Sequence, residues 1–259
     1  MTLNGFGRAA ACWVRWSLVL AMAVGCGSAS GLPAENSGAD LNERTGADLN
    51  EEAAAANPFV FRVDSEPYGI SMKEWAYNWL RWEYSIPAAT NPIIVAGADY
   101  DQHQVGPVYF VPDGPNHNDA FSVPRHKAVA IMLSQINNDF PCPDPSFHPA
   151  PGQSLFDFLS AGLTQVNDGI TVLDVALDGV LIHDPLRYRF TSTEVFFFVG
   201  DKSLAAGFDA CVTGSLQPAV ADDLFLLFKP LKRGQHVLTT HIENKDGNVF
   251  DRTRTITSE

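Results

Sequence analysis

Positively charged side chains are scarce in this chain. Its 259 residues include 17 Lys and Arg against 30 Asp and Glu, which gives a net charge of -13 at pH 7. A nucleic-acid backbone and an anionic membrane surface both require clustered Lys and Arg, and the sequence contains no such cluster. We therefore expect no nucleic-acid partner and no electrostatic binding to a membrane surface.

The common sequence signatures of enzymes are also missing. The chain contains no His-Glu-x-x-His, no Gly-x-Ser-x-Gly, no phosphate-cradling glycine loop and no Cys-x-x-Cys. Metalloproteases, serine hydrolases, nucleotide-binding enzymes and dithiol oxidoreductases with these motifs are therefore not indicated. We expect no cofactor, and a catalytic role would need acids from separate loops.

The amino terminus has the order of an export signal. Arg8 and Arg15 precede the apolar run Trp16–Gly25, which is too short to span a bilayer. The run ends at Cys26 in Ala-Val-Gly-Cys, which resembles the lipobox of bacterial lipoproteins. We predict that residues 1–25 are a signal peptide and that Cys26 carries a lipid. An ordinary cleavable signal ending at Ala29 is the alternative.

A lipid on Cys26 predicts where the protein is located and that it binds a membrane through this anchor. Several acyl chains on Cys26 would hold the protein in a membrane, and Gly27 lacks the acidic side chain typical of inner-membrane retention. We expect an outer-membrane lipoprotein of the cell envelope, or a secreted protein if Cys26 is not acylated.

Two cysteines remain in the part of the chain that is predicted to fold. Cys142 and Cys211 would lie in an oxidising compartment, where lone cysteines most simply pair. We predict a disulfide between them, with two buried free thiols as the alternative. Cys142 lies in a Pro-rich stretch that supplies nothing to activate a catalytic thiolate.

Residues 26–57 are predicted to be a disordered acidic tether. The segment has six acids, one arginine and almost no large apolar side chain, so burial cannot offset its ordering entropy. Residues 58–259 are predicted to form a single globular domain. With 46% hydrophobic residues in the chain, that domain has enough material for a packed core.

Capping boxes mark two helices. Ser71 and Glu74 open the first, which Pro87 ends, and Ser154 and Asp157 open the second, which extends to Val166. Short apolar runs between turn residues predict strands. These are Val105–Val111, Lys127–Leu133, Thr171–Leu177, Val180–His183, Glu194–Val199, Asp223–Phe228, His236–Ile242 and Val249–Ile256. The pattern predicts a mainly β fold: an antiparallel β-sandwich, Ig-like or jelly-roll-like, with two packed helices.

The first predicted helix carries an aromatic stripe. Trp75, Trp79 and Trp82 recur at helical spacing. The stripe is either the face that docks onto a sheet, which we favour, or a platform on which a sugar ring stacks. Exposure of these side chains would distinguish the two interpretations.

Four polar residues are weak candidates for a metal site. Asp101 and His103 would share a face of an extended segment, and His117 and Asp119 repeat that spacing. Together they offer mixed nitrogen and oxygen ligands for a divalent ion. Solvated loop residues are the alternative, and we predict no metal.

A series of short motifs resembles a family of uncharacterised exported bacterial proteins. The motifs include Glu74-Trp75, Trp79-x-x-Trp82, Ser85-Ile86-Pro87, Asn91-Pro92, Gln104-Val105-Gly106-Pro107-Val108-Tyr109-Phe110, Leu177-Asp178-Gly179, Arg187-Tyr188-Arg189 and Gly234-Gln235-His236. The resemblance covers the whole predicted domain. It implies export and one domain, and it supplies no catalytic residues. Relatives tend to have cysteines at the positions of Asp101 and Phe121, so the resemblance implies that Cys142 and Cys211 provide a substitute disulfide.

Three functions fit the sequence. We favour a noncatalytic envelope module that binds a protein or a glycan. A hydrolase acting on an envelope or extracellular polymer is the second, with acids near Asp101, Asp119 or Asp222-Asp223. A purely structural surface component is the third.

Overall fold

The computed structural model describes residues 57–112 and 120–259. The predicted signal peptide, the lipidation site Cys26 and the tether up to residue 56 lie outside the described residues. Asn57, which we assigned to the tether, is buried, and its amide donates to the carbonyl oxygen of His183 at 3.2 Å. The folded part therefore includes one more residue than predicted.

Ten strands and two α-helices form the described chain. The helices are α1 (Met72–Ser85) and α2 (Leu155–Ser160). The strands are β1 (Val108–Val111), β2 (Ala120–Val123), β3 (Ala128–Asp139), β4 (Ile170–Leu177), β5 (Val180–Leu181), β6 (Arg189–Thr191), β7 (Phe196–Val199), β8 (Leu216–Phe228), β9 (Gly234–Asn244) and β10 (Val249–Ser258). No helix of the described ranges is long and apolar enough to cross a membrane.

The strands form two five-stranded sheets. The first has the order β1-β3-β8-β6, with β7 also paired to β8, and the second has the order β2-β10-β9-β4-β5. One apolar core contains Ile131 and Leu226 of the first sheet together with Leu238, Ile242 and Ile256 of the second. The predicted mainly β sandwich with two helices is confirmed.

Each sheet is mixed rather than purely antiparallel. β1 pairs with β3 in parallel and β2 pairs with β10 in parallel, while the other pairs are antiparallel. The chain passes from β1 in the first sheet to β2 in the second and back to β3. Because β2 intervenes in the other sheet, β1 and β3 become neighbours that run in the same direction, which a hairpin connection cannot produce.

Helix α1 begins as predicted and packs on the first sheet. The Ser71 hydroxyl accepts from the Glu74 amide at 3.2 Å, which is the predicted cap. The ring of Tyr77 stacks on Phe196 of β7 with centroids 4.0 Å apart. The helix therefore covers one face of this sheet.

Helix α2 is shorter than predicted. Its cap is present, because the Ser154 hydroxyl accepts from the Asp157 amide at 3.0 Å, but the helix ends at Ser160. Gly162 has a φ of +76°, a left-handed conformation that ends a right-handed helix. Leu163, which we placed on the helix, is buried beyond its end.

Candidate functional site

The three tryptophans of α1 are core residues, so the sugar-stacking interpretation is wrong. Trp75, Trp79 and Trp82 are 5%, 0% and 4% exposed. Each indole nitrogen donates to a main-chain carbonyl oxygen, for example that of Trp79 to Val111 at 2.9 Å. A buried ring whose polar atom is already paired cannot stack on a ligand, and the docking interpretation accounts for the stripe.

The weak metal candidates have separate partners in the described part of the chain. Asp101 accepts from the Tyr109 hydroxyl at 2.8 Å, and His103 Nδ1 lies 2.9 Å from the Ser85 hydroxyl. Burial and the Asp101 carboxylate raise the pKa of Tyr109 far above its usual range. His117 and Asp119 lie outside the described residues. Among the described residues, Asp101 and His103 therefore do not belong to a group of three side chains that could bind a metal ion.

Asp222 and Asp223 are not the loop acids that we considered for a hydrolase. Both lie within β8 and are fully buried. Successive side chains of a strand point to opposite faces. Asp222 accepts from Arg189 and Asn167. Asp223 points to the opposite face of the sheet, and its cross-strand neighbour there is Phe190 of β6. They cannot converge on one substrate.

The polar half of β3 forms the base of a cavity. All twelve residues of this strand are buried, including Asn137, Asn138 and Asp139 at its end. The prediction of β3 ended at Leu133 because the polar residues that follow interrupt the apolar pattern. No feature of the sequence indicated the cavity either, because the polar residues at its base are typical of a loop.

Two loops form the walls of this cavity, which has a volume of about 250 Å³. The loop after β3 contributes Cys142, Pro143, Asp144 and Phe147, and the segment before β8 contributes Asp209, Ala210 and Cys211. The predicted disulfide Cys142–Cys211 is present and joins the two walls. We call this site the disulfide cavity.

Hydrogen bonds hold the buried polar groups of the disulfide cavity in place. Asp209 accepts from the Tyr84 hydroxyl at 2.9 Å and from the Cys211 amide at 3.0 Å. Asn137 donates to the Tyr84 hydroxyl at 3.2 Å. Asp139 accepts from the side chain of Gln217. The polar side of the cavity is therefore preorganised by α1 and β8.

One atom each from Asp139, Asp209 and Cys211 lies within 4.8 Å of the others. This proximity would suit a metal ion if all three were free ligands. The Cys211 sulfur is bonded to Cys142, however, so it is not a thiolate. Two closely spaced carboxylates remain.

The mouth of the disulfide cavity is negative. Asp144 accepts from the Ser146 hydroxyl at 2.7 Å and from the Ser146 amide at 2.8 Å, and these hydrogen bonds lower the pKa of Asp144. No Lys or Arg is among the described residues that line the cavity. The cavity therefore offers amide groups, carboxylates and an apolar wall that includes Phe147.

Three residues of the short motifs noted in the sequence, Gln104, Asn91 and His236, form contacts within the fold and do not line this cavity. Gln104 donates to the Phe110 carbonyl oxygen at 2.7 Å and accepts from its amide at 2.9 Å. Asn91 donates to the carbonyl oxygens of Glu83 and Ile86 and so closes the end of α1. His236 Nδ1 lies 2.7 Å from Asp178. These contacts give the three residues a role within the fold.

Comparisons of the chain with protein-family models, with curated proteins and with solved structures give no match.

Proposed function

We propose that this protein is an exported, lipid-anchored binding module of the bacterial cell envelope, and that the disulfide cavity binds a saccharide. The observation that carries the proposal is the composition of the cavity. Asn137, Asn138, Asp139 and Asp209 provide buried polar groups, and Phe147 and the disulfide provide an apolar wall. Ligand pockets typically combine an apolar lining with a few fixed polar groups.

Saccharide chemistry suits this combination. A sugar ring presents hydroxyls that both donate and accept, and it also presents faces of C–H groups. Carboxylates accept from hydroxyls, and amides do both. An aromatic side chain such as the half-buried Phe147 can pack against the C–H face.

A binding role is favoured over catalysis because the carboxylates have structural partners. Both oxygens of Asp209 accept hydrogen bonds from the protein itself, and Asp139 accepts from Gln217. A general acid or base must exchange a proton with a substrate. Carboxylates engaged in this way can still accept from a sugar hydroxyl through a remaining lone pair, but they are held in position and not set up to exchange a proton.

The saccharide proposal is tested by calorimetric titration of the full-length chain in lipid nanodiscs. The probes are defined peptidoglycan fragments and lipopolysaccharide core oligosaccharides, applied to the wild type, Phe147→Ala and Asp144→Asn. We expect one class to bind and both variants to bind it at least about tenfold more weakly, since each lost contact removes about 1.4 kcal/mol or more.

Matched controls lie outside the cavity. Phe197→Ala removes an exposed phenylalanine, and Asp246→Asn neutralises an exposed aspartate in the β9–β10 turn. Both should keep wild-type affinity. Absence of binding to every probe, or equal losses in the controls, contradicts the saccharide proposal.

Lipid anchoring is tested separately. Growth with an alkyne fatty acid should label the wild-type protein but not Cys26→Ser, and the wild type should sediment with outer membranes. If the wild type is not labelled, lipid anchoring is contradicted and the protein is secreted without a lipid.

A hydrolase acting on an envelope polymer is the second candidate. The observation that favours it is the proximity of the Asp139 and Asp209 carboxylates, whose ligand atoms approach within 4.8 Å. Retaining glycosidases place two carboxyl groups about 5 Å apart. Incubation of the wild type with purified peptidoglycan should release no soluble fragments. Release that disappears in Asp209→Asn would establish the hydrolase instead.

A further inference from the structure

A second concave site lies beside the disulfide cavity, on the same segment between β7 and β8. It is an open groove of about 700 Å³. The residues that line it are Ser85, Val199, Gly200, Asp201, Lys202, Thr213, Gly214 and Ser215. We call it the Lys202 groove. The groove lies between the end of α1, the residues that follow β7 and the residues that precede β8.

Two glycines of the lining have no room, or no suitable backbone conformation, for a side chain. A Cβ atom on Gly200 would lie 2.7 Å from Val212 Cγ1, which is closer than any normal contact. Gly214 has a φ of +80°, which L side chains rarely adopt. A larger residue would require a shift of Val212 at Gly200, and a shift of the backbone or of Lys202 at Gly214.

An apolar rim borders the groove. Phe197, Val199 and Leu216 are 48%, 52% and 69% exposed, and Val199 is the direct cross-strand partner of Leu216. Alternation along β7 places Phe197 and Val199 on one face. Single exposed apolar residues are ordinary, but three neighbours on one face form a patch of the kind found at interaction sites.

The edge of β7 is not available as a template for another strand at Phe197. The Arg81 side chain donates to the Phe197 carbonyl oxygen at 2.9 Å, and Arg81 also pairs with Glu74. A charged side chain across an edge blocks strand addition. A partner must therefore use side chains of the rim and groove.

Lys202 supplies an available positive charge. Its ammonium group makes no hydrogen bond or ion pair with any residue of 57–112 or 120–259. The groove is also lined by the carboxylate of Asp201, which does not pair with Lys202. Asp201 accepts from the Ser203 hydroxyl at 2.6 Å and the Ser203 amide at 2.9 Å, and these bonds lower its pKa. In a chain of net charge -13, this exposed lysine beside an apolar rim favours an acidic ligand.

We propose that the Lys202 groove docks an extended peptide segment of a partner protein. A carboxylate of that segment pairs with Lys202, and an adjacent apolar side chain covers Val199 and Leu216. An acidic glycan would satisfy the lysine but would leave the rim exposed. The proposal adds a protein-binding surface to the saccharide site and does not depend on it, because no residue lines both sites.

The test uses synthetic hexapeptides and the full-length chain in lipid nanodiscs, measured by fluorescence anisotropy. One set places Glu or Asp beside Leu, Val or Phe, and a matched set replaces each acid by its amide. We expect acidic-apolar peptides to bind and amide peptides to bind at least about tenfold more weakly. Lys202→Glu and Leu216→Ser should each reduce the affinity by a similar factor.

Lys232→Glu is the matched control, since Lys232 is an exposed lysine in the turn between β8 and β9. It should leave peptide affinity unchanged. Lack of binding by the whole acidic set, or equal losses in Lys202→Glu and Lys232→Glu, would overturn the proposal. So would binding of polygalacturonate that needs Lys202 but not Leu216, when no peptide binds.

Discussion

Arg189 holds Asp222 with two nearly parallel hydrogen bonds, from Nε to Oδ1 at 2.9 Å and from Nη2 to Oδ2 at 2.8 Å. The Asp222 side chain is fully buried, and that of Arg189 is 25% exposed. The Thr191 hydroxyl and the Asn167 amide donate to the same carboxylate. This contact joins β6 and β8 to the segment before β4.

Removal of the guanidinium should therefore destabilise the fold strongly. We expect Arg189→Ala to lower the free energy of unfolding by about 3–5 kcal/mol, because it leaves a buried carboxylate without its countercharge. Urea denaturation measures the change. In Arg62→Ala, which breaks an ion pair whose side chains are 66% and 63% exposed, the change should be at most about 1 kcal/mol. Similar losses in both variants would contradict this account of Asp222.

Trp79 should behave as a core residue. It is fully buried, and we expect Trp79→Ala to lower the free energy of unfolding by about 3–5 kcal/mol. Trp79→Phe keeps an aromatic ring but leaves the Val111 carbonyl oxygen without its donor, which costs about 1–3 kcal/mol. The exposed Phe197→Ala should change stability by no more than about 0.5 kcal/mol. A wild-type melting curve for Trp79→Ala would refute the packing of α1.

The disulfide should contribute stability and support the cavity. Cys142 and Cys211 are 69 residues apart, and cross-linking a loop of this length is expected to stabilise by about 4 kcal/mol. We expect the double variant Cys142→Ser, Cys211→Ser to lose about that amount in urea denaturation. Dithiothreitol should weaken saccharide binding by the wild type and should have no effect on the double variant. An unchanged wild type under full reduction would show that the two walls do not need the cross-link.

Asp223 should make stability fall as the pH rises. Burial, followed by the charge of Asp222, raises the pKa of Asp223 well above its usual range, and neither of its carboxyl oxygens has a hydrogen-bond partner among the described residues. Below about pH 4 both the native and the unfolded states are protonated at this residue. Above that pH the unfolded state loses the proton first, so stability decreases by up to about 1.4 kcal/mol per pH unit until the native pKa is reached.

Asp223→Asn removes this dependence, because the amide has nearly the shape of the protonated acid. The variant should be more stable than the wild type at pH 7, and the difference should vanish near pH 4. Urea denaturation between pH 4 and 8 measures both curves. Parallel curves would show that Asp223 does not titrate abnormally. Asp246→Asn, at an exposed turn residue, should follow the wild type.

His241 should titrate above its usual range. Its Nδ1 lies 2.6 Å from Asp251 and its Nε2 lies 3.1 Å from Glu243, and hydrogen bonds to these carboxylates, first Asp251 and then Glu243, raise the pKa of His241. Any stability from this pair is therefore complete below about pH 6.5 and is lost as the pH rises through the native pKa. We expect NMR titration to show a lower His241 pKa in Asp251→Asn. An unchanged value would contradict the contact.

Several elements were predictable because their signals are local. The caps at Ser71 and Ser154 depend on residues three positions apart, and both are present. The strand pattern of β9 and β10 follows from alternation, and the predicted runs differ from the observed strands only at their ends. The short strands β2 and β6 were missed because they contain few large apolar residues, Phe121 and Val123 in β2 and Phe190 in β6, and lack the apolar runs that predicted β1 and β7.

The candidate sites were largely unpredictable because distant segments form them. The disulfide cavity is formed by the end of β3, the loop that follows it and residues 209–211. The predicted pairing of Cys142 with Cys211 was the one feature of the sequence that pointed to contact between these segments. Lys202 follows Val199 by three residues, but nothing in the order of residues places Leu216 beside them. Cross-strand pairing alone makes Val199 a neighbour of Leu216.

Composition and local spacing alone determined that this chain would be an acidic, mainly β protein with two capped helices, and they predicted the pairing of Cys142 with Cys211. Tertiary structure decided which polar residues are buried and which apolar ones are exposed. Asp222 and Asp223 are adjacent in an apolar strand. Asp222 is paired and Asp223 has no hydrogen-bond partner among residues 57–112 and 120–259, because alternation turns them toward different neighbours. Burial depends on contacts between distant segments, and these contacts leave no periodic signal in the sequence.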